Sequence, residues 1–200
     1  MIESGMLTPA DSEDFHRDGF LLGERVISDE MADSLAVEVE HIIARRNQGP
    51  PQPVMLHDMK VGSGSSIWQI VNIWQVSAGY EALVRNPRIV EELRQLTGAL
   101  ELRVWHDQIQ YKPASGGGVN MWHQDWPYWP LLSEPAQVTA WVALDDADEE
   151  NGCMSMVRGS HLWGDQIEFL HSLKSWEDMP ATWKDHRLEA IPRPVRKGHA

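Results

Sequence analysis

Hydrophobic residues recur with a helical period in the first quarter of the chain. Leu35, Val39 and Ile42 fall on one face of a helix, at spacings of four and three residues. Ser28 precedes them and is a favourable N-cap, because its hydroxyl can accept a hydrogen bond from a free backbone N–H of the first turn. We therefore predict a long helix after Ser28, with these three side chains facing the core.

Capping and breaking residues predict further helices. Thr8 followed by Pro9 is typical of a helix start, and that helix is expected to end by Gly19. The stretch Gly79–Arg94 has the composition of one or two short helices, which Pro87 would interrupt because proline disrupts a helix interior.

Short segments with the composition of strands dominate the rest of the chain. Branched and aromatic residues run through Ile67–Trp74, which follows a proline-rich loop at 47–53. Further strands are predicted at Phe20–Leu22, Leu102–Lys112, Gln137–Leu144, Cys153–Val157 and Ile191–Arg196. One more helix is predicted at Ser172–His186. The predicted helices come first in the chain and the predicted strands afterwards. This order favours an α+β or mainly β domain with helical support.

Composition and charge narrow the possible classes of protein. With 200 residues, 42% hydrophobic and 24% charged, the chain suits one folded domain over 1–200. A net charge of -13 argues against nucleic acid as a partner, because phosphate binding needs clustered lysine and arginine. No stretch is apolar for long enough to suggest a membrane partner. The start of the chain lacks a signal sequence and Cys153 is the single cysteine, so we expect a cytoplasmic protein. The oligomeric state is not indicated.

The strongest chemical signal is His123 with Asp125, inside the tryptophan-rich run 120–130. In an extended backbone, residues two apart point to the same side, so an imidazole and a carboxylate would face a common point. Such a pair is two-thirds of the 2-His-1-carboxylate triad that holds non-heme Fe(II). The alternative is an exposed strand with a chance ion pair. Trp126 and Trp129 beside the pair could line a pocket or pack under a loop.

Several motifs also occur in a definite order. They are Asp18–Leu21, Gln108–Pro113 leading through a glycine-rich loop into Trp122–Asp125, Thr139–Leu144 before an acidic loop, and Asn151–His161. Together they resemble the phytanoyl-CoA dioxygenase family of Fe(II)- and 2-oxoglutarate-dependent oxygenases. The resemblance implies a double-stranded β-helix, a cupin-like jelly-roll barrel with supporting N-terminal helices.

The resemblance also implies roles for particular residues. His123 and Asp125 match the first two iron ligands of the family, while Gln108, Gln124 and Trp141 match positions that contact or lie beside 2-oxoglutarate. On composition alone, Trp141 could equally be a core residue. The implied cofactors are Fe(II) and the co-substrate 2-oxoglutarate, and the implied partners are O2 and a small-molecule substrate. Hydroxylation is favoured over halogenation, because Asp125 fills the position that related halogenases leave open to chloride.

Some elements of the family pattern are missing or changed. The residues 197–200 resemble the turn before the strand that carries the second iron-binding histidine, so we expect that histidine and the 2-oxoglutarate-binding arginine beyond residue 200. We interpret the chain as a fragment that lacks its last strands. The alternative is a non-catalytic jelly-roll binding protein, or a truncated inactive homologue. His161 could act as a substitute ligand or support a turn, and His106 could face the pocket or be a hydrogen-bonded strand residue. Arg158 stands where the family usually has proline, and the sequence does not explain it.

Overall fold

Two helices open the fold, as the sequence predicts. A computed structural model describes residues 7–61, 65–114, 118–129 and 137–200, without the side chains of 60, 61 and 65. Helix α1 spans Pro9–Asp18, and the Thr8 hydroxyl accepts a hydrogen bond from the backbone N–H of Asp11, the third residue of the helix. Helix α2 spans Asp29–Ala44 and has Ser28 as its N-cap. Gly19 ends α1 in the left-handed conformation. The capping residues therefore locate both helices correctly.

An antiparallel sheet and two short helices follow. Strands β1 (Met55–Val61), β2 (Ser65–Val71) and β3 (Gln108–Tyr111) pair in the order β1-β2-β3. Helices α3 (Ala78–Val84) and α4 (Pro87–Thr97) lie between β2 and β3 in the chain, which confirms an interruption at Pro87. The prediction missed β1, and the expected strand at Leu102–Lys112 is shortened to β3.

The last part of the chain forms two small two-stranded sheets and one short helix. Its elements are β4 (Met154–Val157), α5 (Ile167–Ser172), β5 (Thr182–Trp183), β6 (His186–Arg187) and β7 (Ala190–Arg193). β4 pairs with β7, and β5 pairs with β6, both antiparallel. The predictions of an extended segment after residue 153 and another after residue 190 are confirmed by this pairing.

The hydrophobic core lies between α2, the three-stranded sheet and α3. Leu35 and Val39 on α2 are buried, as are Ile70 on β2 and Tyr80 on α3. The Tyr80 hydroxyl donates a hydrogen bond of 3.1 Å to the Leu35 carbonyl, which satisfies the one polar group of that side chain. The helical periodicity of α2 was therefore a correct guide to its buried face.

Three predictions of secondary structure were wrong. Phe20–Leu22 and Gln137–Leu144 are not strands, because neither forms a ladder within the described residues. Ala143 makes isolated backbone hydrogen bonds with Gly198 and His199. Ser172–His186 is not a helix. Only its first residue belongs to α5, and the stretch continues into the β5–β6 hairpin.

The mixture of helices and strands that the sequence predicts is confirmed. Across the described parts of the chain, the strands form three small sheets and no closed barrel. The predicted glycine-rich loop at 114–118 falls mostly outside the described residues. No helix among the described residues is both long and apolar enough to cross a bilayer.

Candidate functional site

The His123 and Asp125 side chains converge without the support of a sheet. No strand is assigned to residues 121–125, and Asp125 has helical dihedral angles because it precedes the 3-10 turn Trp126–Tyr128. The extended backbone on which the sequence argument relied is therefore not a regular strand here. The expectation that the side chains share a side was right, since His123 Nε2 lies 3.5 Å from Asp125 Oδ1.

Hydrogen bonding leaves the facing nitrogen of His123 free to bind a metal. His123 Nδ1 lies 2.7 Å from the Met121 carbonyl oxygen, to which it donates, so in the neutral ring Nε2 carries the lone pair. Two such donors at right angles on a divalent first-row ion, each about 2.1 Å from it, lie roughly 3 Å apart. The observed separation of 3.5 Å is close to this value, so the pair fits a shared metal ion.

The two groups also shift each other's pKa. When the His123 ring is charged, its Nε2–H donates to the Asp125 carboxylate, and this contact raises the pKa of His123 and lowers the pKa of Asp125. Their side chains are 47% and 44% exposed, so solvent reaches the space between them. At neutral pH the Asp125 carboxylate is thus ionised, and a metal ion that binds the pair would replace the proton on His123 Nε2.

The segment 137–144 contacts Asp125 through one of its residues. The Thr139 hydroxyl lies 3.5 Å from Asp125 Oδ2, which orients the carboxylate. Ala140, Val142 and Leu144 pack against the hydrophobic core, and Ala143 among them is buried as well. Trp141 is half-buried, and its place beside a co-substrate stays a prediction. Sequence reasoning missed the contact of Thr139 with Asp125, although Thr139 opens the motif that contains Trp141.

The two predicted glutamines have different surroundings. Ile109 and Tyr111 on β3 pack against the core, so exposed Gln108 lies on the opposite face of that strand. Gln124 instead faces a loop that precedes α5: its Nε2 donates to the Gly164 carbonyl, and its Oε1 accepts from the Gln166 backbone N–H. The part that either glutamine plays in binding a co-substrate stays a prediction.

Two histidines with open roles are also located. The His106 ring meets Trp129 edge to face at 5.4 Å, and Trp105 lies 6.3 Å from the same tryptophan ring. His106 is not in a strand, and it belongs to an aromatic group near the candidate site. His161 lies at the end of α1, where its Nε2 donates to the His16 carbonyl. This position supports the structural role for His161.

Within the described residues, no group of three histidine, cysteine, aspartate or glutamate side chains is arranged to hold a metal. The pair His123 and Asp125 is thus the candidate centre. The third ligand and the arginine that the sequence analysis expects beyond residue 200 stay predictions.

Comparison with known proteins gives one consistent picture. A family model described as phytanoyl-CoA dioxygenase (PhyH) matches residues 15–200. The chain is 31% identical over 157 residues to an ectoine dioxygenase of Bordetella parapertussis, which covers 74% of this chain and 48% of that protein. The chain therefore spans about half the length of the curated relatives that it matches.

Solved structures share the fold. The carbocyclase SnoK from nogalamycin biosynthesis, a non-heme alpha-ketoglutarate-dependent enzyme, superposes with a TM-score of 0.69 at 21% identity, over 98% of this chain and 76% of that one. The epimerase SnoN, solved in complex with Fe3+, alpha-ketoglutarate and nogalamycin RO, gives a TM-score of 0.61 at 18% identity, over 95% and 71% of the two chains. At these identities the likeness establishes the fold of this chain and no more.

Proposed function

Because this chain belongs to the phytanoyl-CoA dioxygenase family, we propose that it is an Fe(II)- and 2-oxoglutarate-dependent dioxygenase that hydroxylates a small organic molecule. The observation that carries the proposal is the convergence of His123 Nε2 and Asp125 Oδ1 at 3.5 Å. Further support comes from SnoN, a neighbour in fold that was solved with iron and alpha-ketoglutarate. We also propose that the family's double-stranded β-helix describes the complete domain.

His123 and Asp125 would hold the ferrous ion. The hydrogen bond from His123 Nδ1 to the Met121 carbonyl fixes the ring orientation, and Thr139 holds the Asp125 carboxylate from the other side. One neutral imidazole and one carboxylate leave the bound site cationic, which favours a dianionic co-substrate. Iron with 2-oxoglutarate supplies the oxidising chemistry when bound, with O2 consumed and succinate and CO2 released.

The residues around the pair would shape the rest of the site. Gln108 lies on the face of β3 that points away from the core, and the family resemblance implies that Trp141 lies beside 2-oxoglutarate, so we assign both to the co-substrate side. Trp129 and its neighbours Trp105 and His106 form an aromatic wall beside the ligand segment, residues 121–125. Their large apolar faces suit a small organic substrate.

Succinate release tests the proposal. The full-length protein, supplied with Fe(II), 2-oxoglutarate and a panel of small organic molecules, is expected to release succinate. His123→Ala should abolish this release, because it removes an iron ligand, while His57→Ala should not, because His57 is an exposed residue on β1. Full activity in His123→Ala would contradict the proposal. Ferrous ion binding without turnover on any substrate would instead favour the non-catalytic binding protein.

A further inference from the structure

Gln124 stands between the two candidate ligands but points away from them. Its side-chain nitrogen donates to the Gly164 carbonyl at 3.0 Å, and its side-chain oxygen accepts from the Gln166 N–H at 2.8 Å. The neighbouring side chains of His123 and Asp125 instead face each other, with Nε2 and Oδ1 3.5 Å apart. Residues 121–125, the ligand segment, thus direct two side chains to the candidate metal site and the Gln124 side chain to the loop at 164–166.

The backbone that Gln124 binds belongs to a unit that we call the aromatic lobe, residues 160–188. Within it, the Trp163 ring stacks on His186 at 4.1 Å, and the Phe169 ring stacks on Trp183 at 3.9 Å. Gln166 joins these pairs, since its Oε1 accepts from Trp183 Nε1 at 3.0 Å. The backbone that Gln124 binds is therefore held by stacked rings and hydrogen bonds of its own.

Hydrogen bonds from the ligand segment to the aromatic lobe take the place of a sheet. No strand is assigned at 121–125, so a regular ladder does not orient this backbone. The primary amide of Gln124 supplies one donor and one acceptor to residues two apart, as the backbone N–H and C=O of one residue do to a neighbouring parallel strand. Trp122 Nε1 adds a bond of 2.8 Å to the Trp176 carbonyl.

We propose that Gln124 is a positioning residue, which sets the direction of His123 and Asp125 by binding the ligand segment to the aromatic lobe. This inference rests on the proposed function, because positioning matters only if the pair binds a metal. It gives Gln124 a role other than the position beside 2-oxoglutarate that the family resemblance implies. Partners that orient metal ligands commonly change metal affinity by 10- to 100-fold when they are removed.

Three variants of the full-length protein test the inference. Gln124→Met preserves the length of the side chain and removes both hydrogen bonds, while Gln124→Glu retains only the acceptor for the Gln166 N–H. Gln95→Met is the matched control, because Gln95 is exposed on α4. Cobalt(II) affinity is measured as a stable substitute for the ferrous ion, together with hydrogen exchange of the Gln166 amide.

We expect Gln124→Met to weaken cobalt binding by about 10-fold and to expose the Gln166 amide to exchange. Gln124→Glu should retain protection of that amide with an intermediate affinity, and Gln95→Met should match the wild type. Unchanged cobalt affinity in Gln124→Met would overturn the positioning role. A wild-type protein that binds no cobalt would overturn the proposed function itself.

A fourth variant makes the test independent of the ligand segment. Trp183→Phe retains the stacked ring against Phe169 but removes the donor to Gln166 Oε1. We expect this variant to weaken cobalt binding by a smaller factor than Gln124→Met, since it removes a hydrogen bond that holds Gln166 and leaves Gln124 in place. If Gln124→Met fails to fold, an unchanged affinity in Trp183→Phe would still overturn the proposal.

Discussion

At the residue scale, Asp18 joins the first helix to a turn that is distant in the sequence. Its carboxylate is buried and accepts two hydrogen bonds from Arg17, at 2.8 and 2.9 Å, and it also pairs with Arg158. The Asp18 carbonyl accepts from the Gly159 N–H. These contacts give a structural role to Arg158, a residue that the sequence did not explain.

The Asp18 contacts predict a pH-dependent contribution to stability. Hydrogen bonding from Arg17, supported by Arg158, lowers the pKa of Asp18 to about 2. Because this pKa lies below that of the unfolded chain, about 3.9, the contribution is complete above pH 4 and is lost as the pH falls towards 2. Asp18→Asn should therefore lower the urea midpoint at pH 7 and approach the wild type near pH 2.

The control for this prediction is Asp14→Asn. Asp14 also pairs with Arg17, but its side chain is 51% exposed, so its removal should change the urea midpoint much less. A difference between Asp18→Asn and the wild type that stays constant from pH 7 to pH 2 would contradict the assignment.

At the scale of elements, one side chain connects α4 to the segment before α2. Asn86 caps α4, since its Oδ1 accepts from the backbone N–H groups of Arg88 and Ile89. Its Nδ2 donates to the Val26 carbonyl at 3.0 Å. The same amide therefore satisfies a helix end and holds two parts of the core together.

Loss of this cap should measurably destabilise the fold. Asn86→Ala is expected to lower the free energy of unfolding by about 1–2 kcal/mol, because it removes both the cap and the bond to Val26. Asn86→Asp retains the cap and removes only the donor, so its effect should be smaller. The free energy of unfolding of both variants is measured in urea by tryptophan fluorescence. If Asn86→Ala and Asn86→Asp lose the same free energy, the cap contributes nothing.

At the scale of the whole molecule, the last residues connect segments that are far apart in the chain. Val26 donates to the Gly198 carbonyl, and Gly198 donates to the Ala143 carbonyl, each at 2.8 Å. The Gly23 N–H also bonds the Ala200 carbonyl. Residues 195–200 therefore lie between the start of the fold and the segment that carries Thr139.

Gly198 should tolerate no side chain. It has a φ of +80°, and an added Cβ would lie 2.5 Å from the Ile27 carbonyl oxygen. Gly198→Ala is expected to lower the free energy of unfolding by at least about 2 kcal/mol, from backbone strain together with this contact. Gly98→Ala is the control, because Gly98 also has a positive φ but has no atom within 4 Å of its Cβ position. If Gly198→Ala and Gly98→Ala lower the free energy of unfolding in urea equally, the contact with Ile27 contributes nothing to the loss.

The sequence by itself determined the local features of this protein. The caps at Thr8 and Ser28, the buried face of α2 and the break at Pro87 were all predicted, since each depends on residues within one or two helical turns. The motif order was enough to identify the family. The spacing of His123 and Asp125 was enough to predict that the two side chains meet.

Only the tertiary structure decided how that pair is held. Gln166 and Thr139 contact the motif across about 42 and 14 residues of sequence respectively, and no local pattern encodes such pairs. The segment 137–144 has the composition of a strand but forms no ladder within the described residues, because hydrogen bonding in a sheet depends on where a partner lies. Contacts between distant residues result from packing of the whole chain, and they orient the candidate ligands.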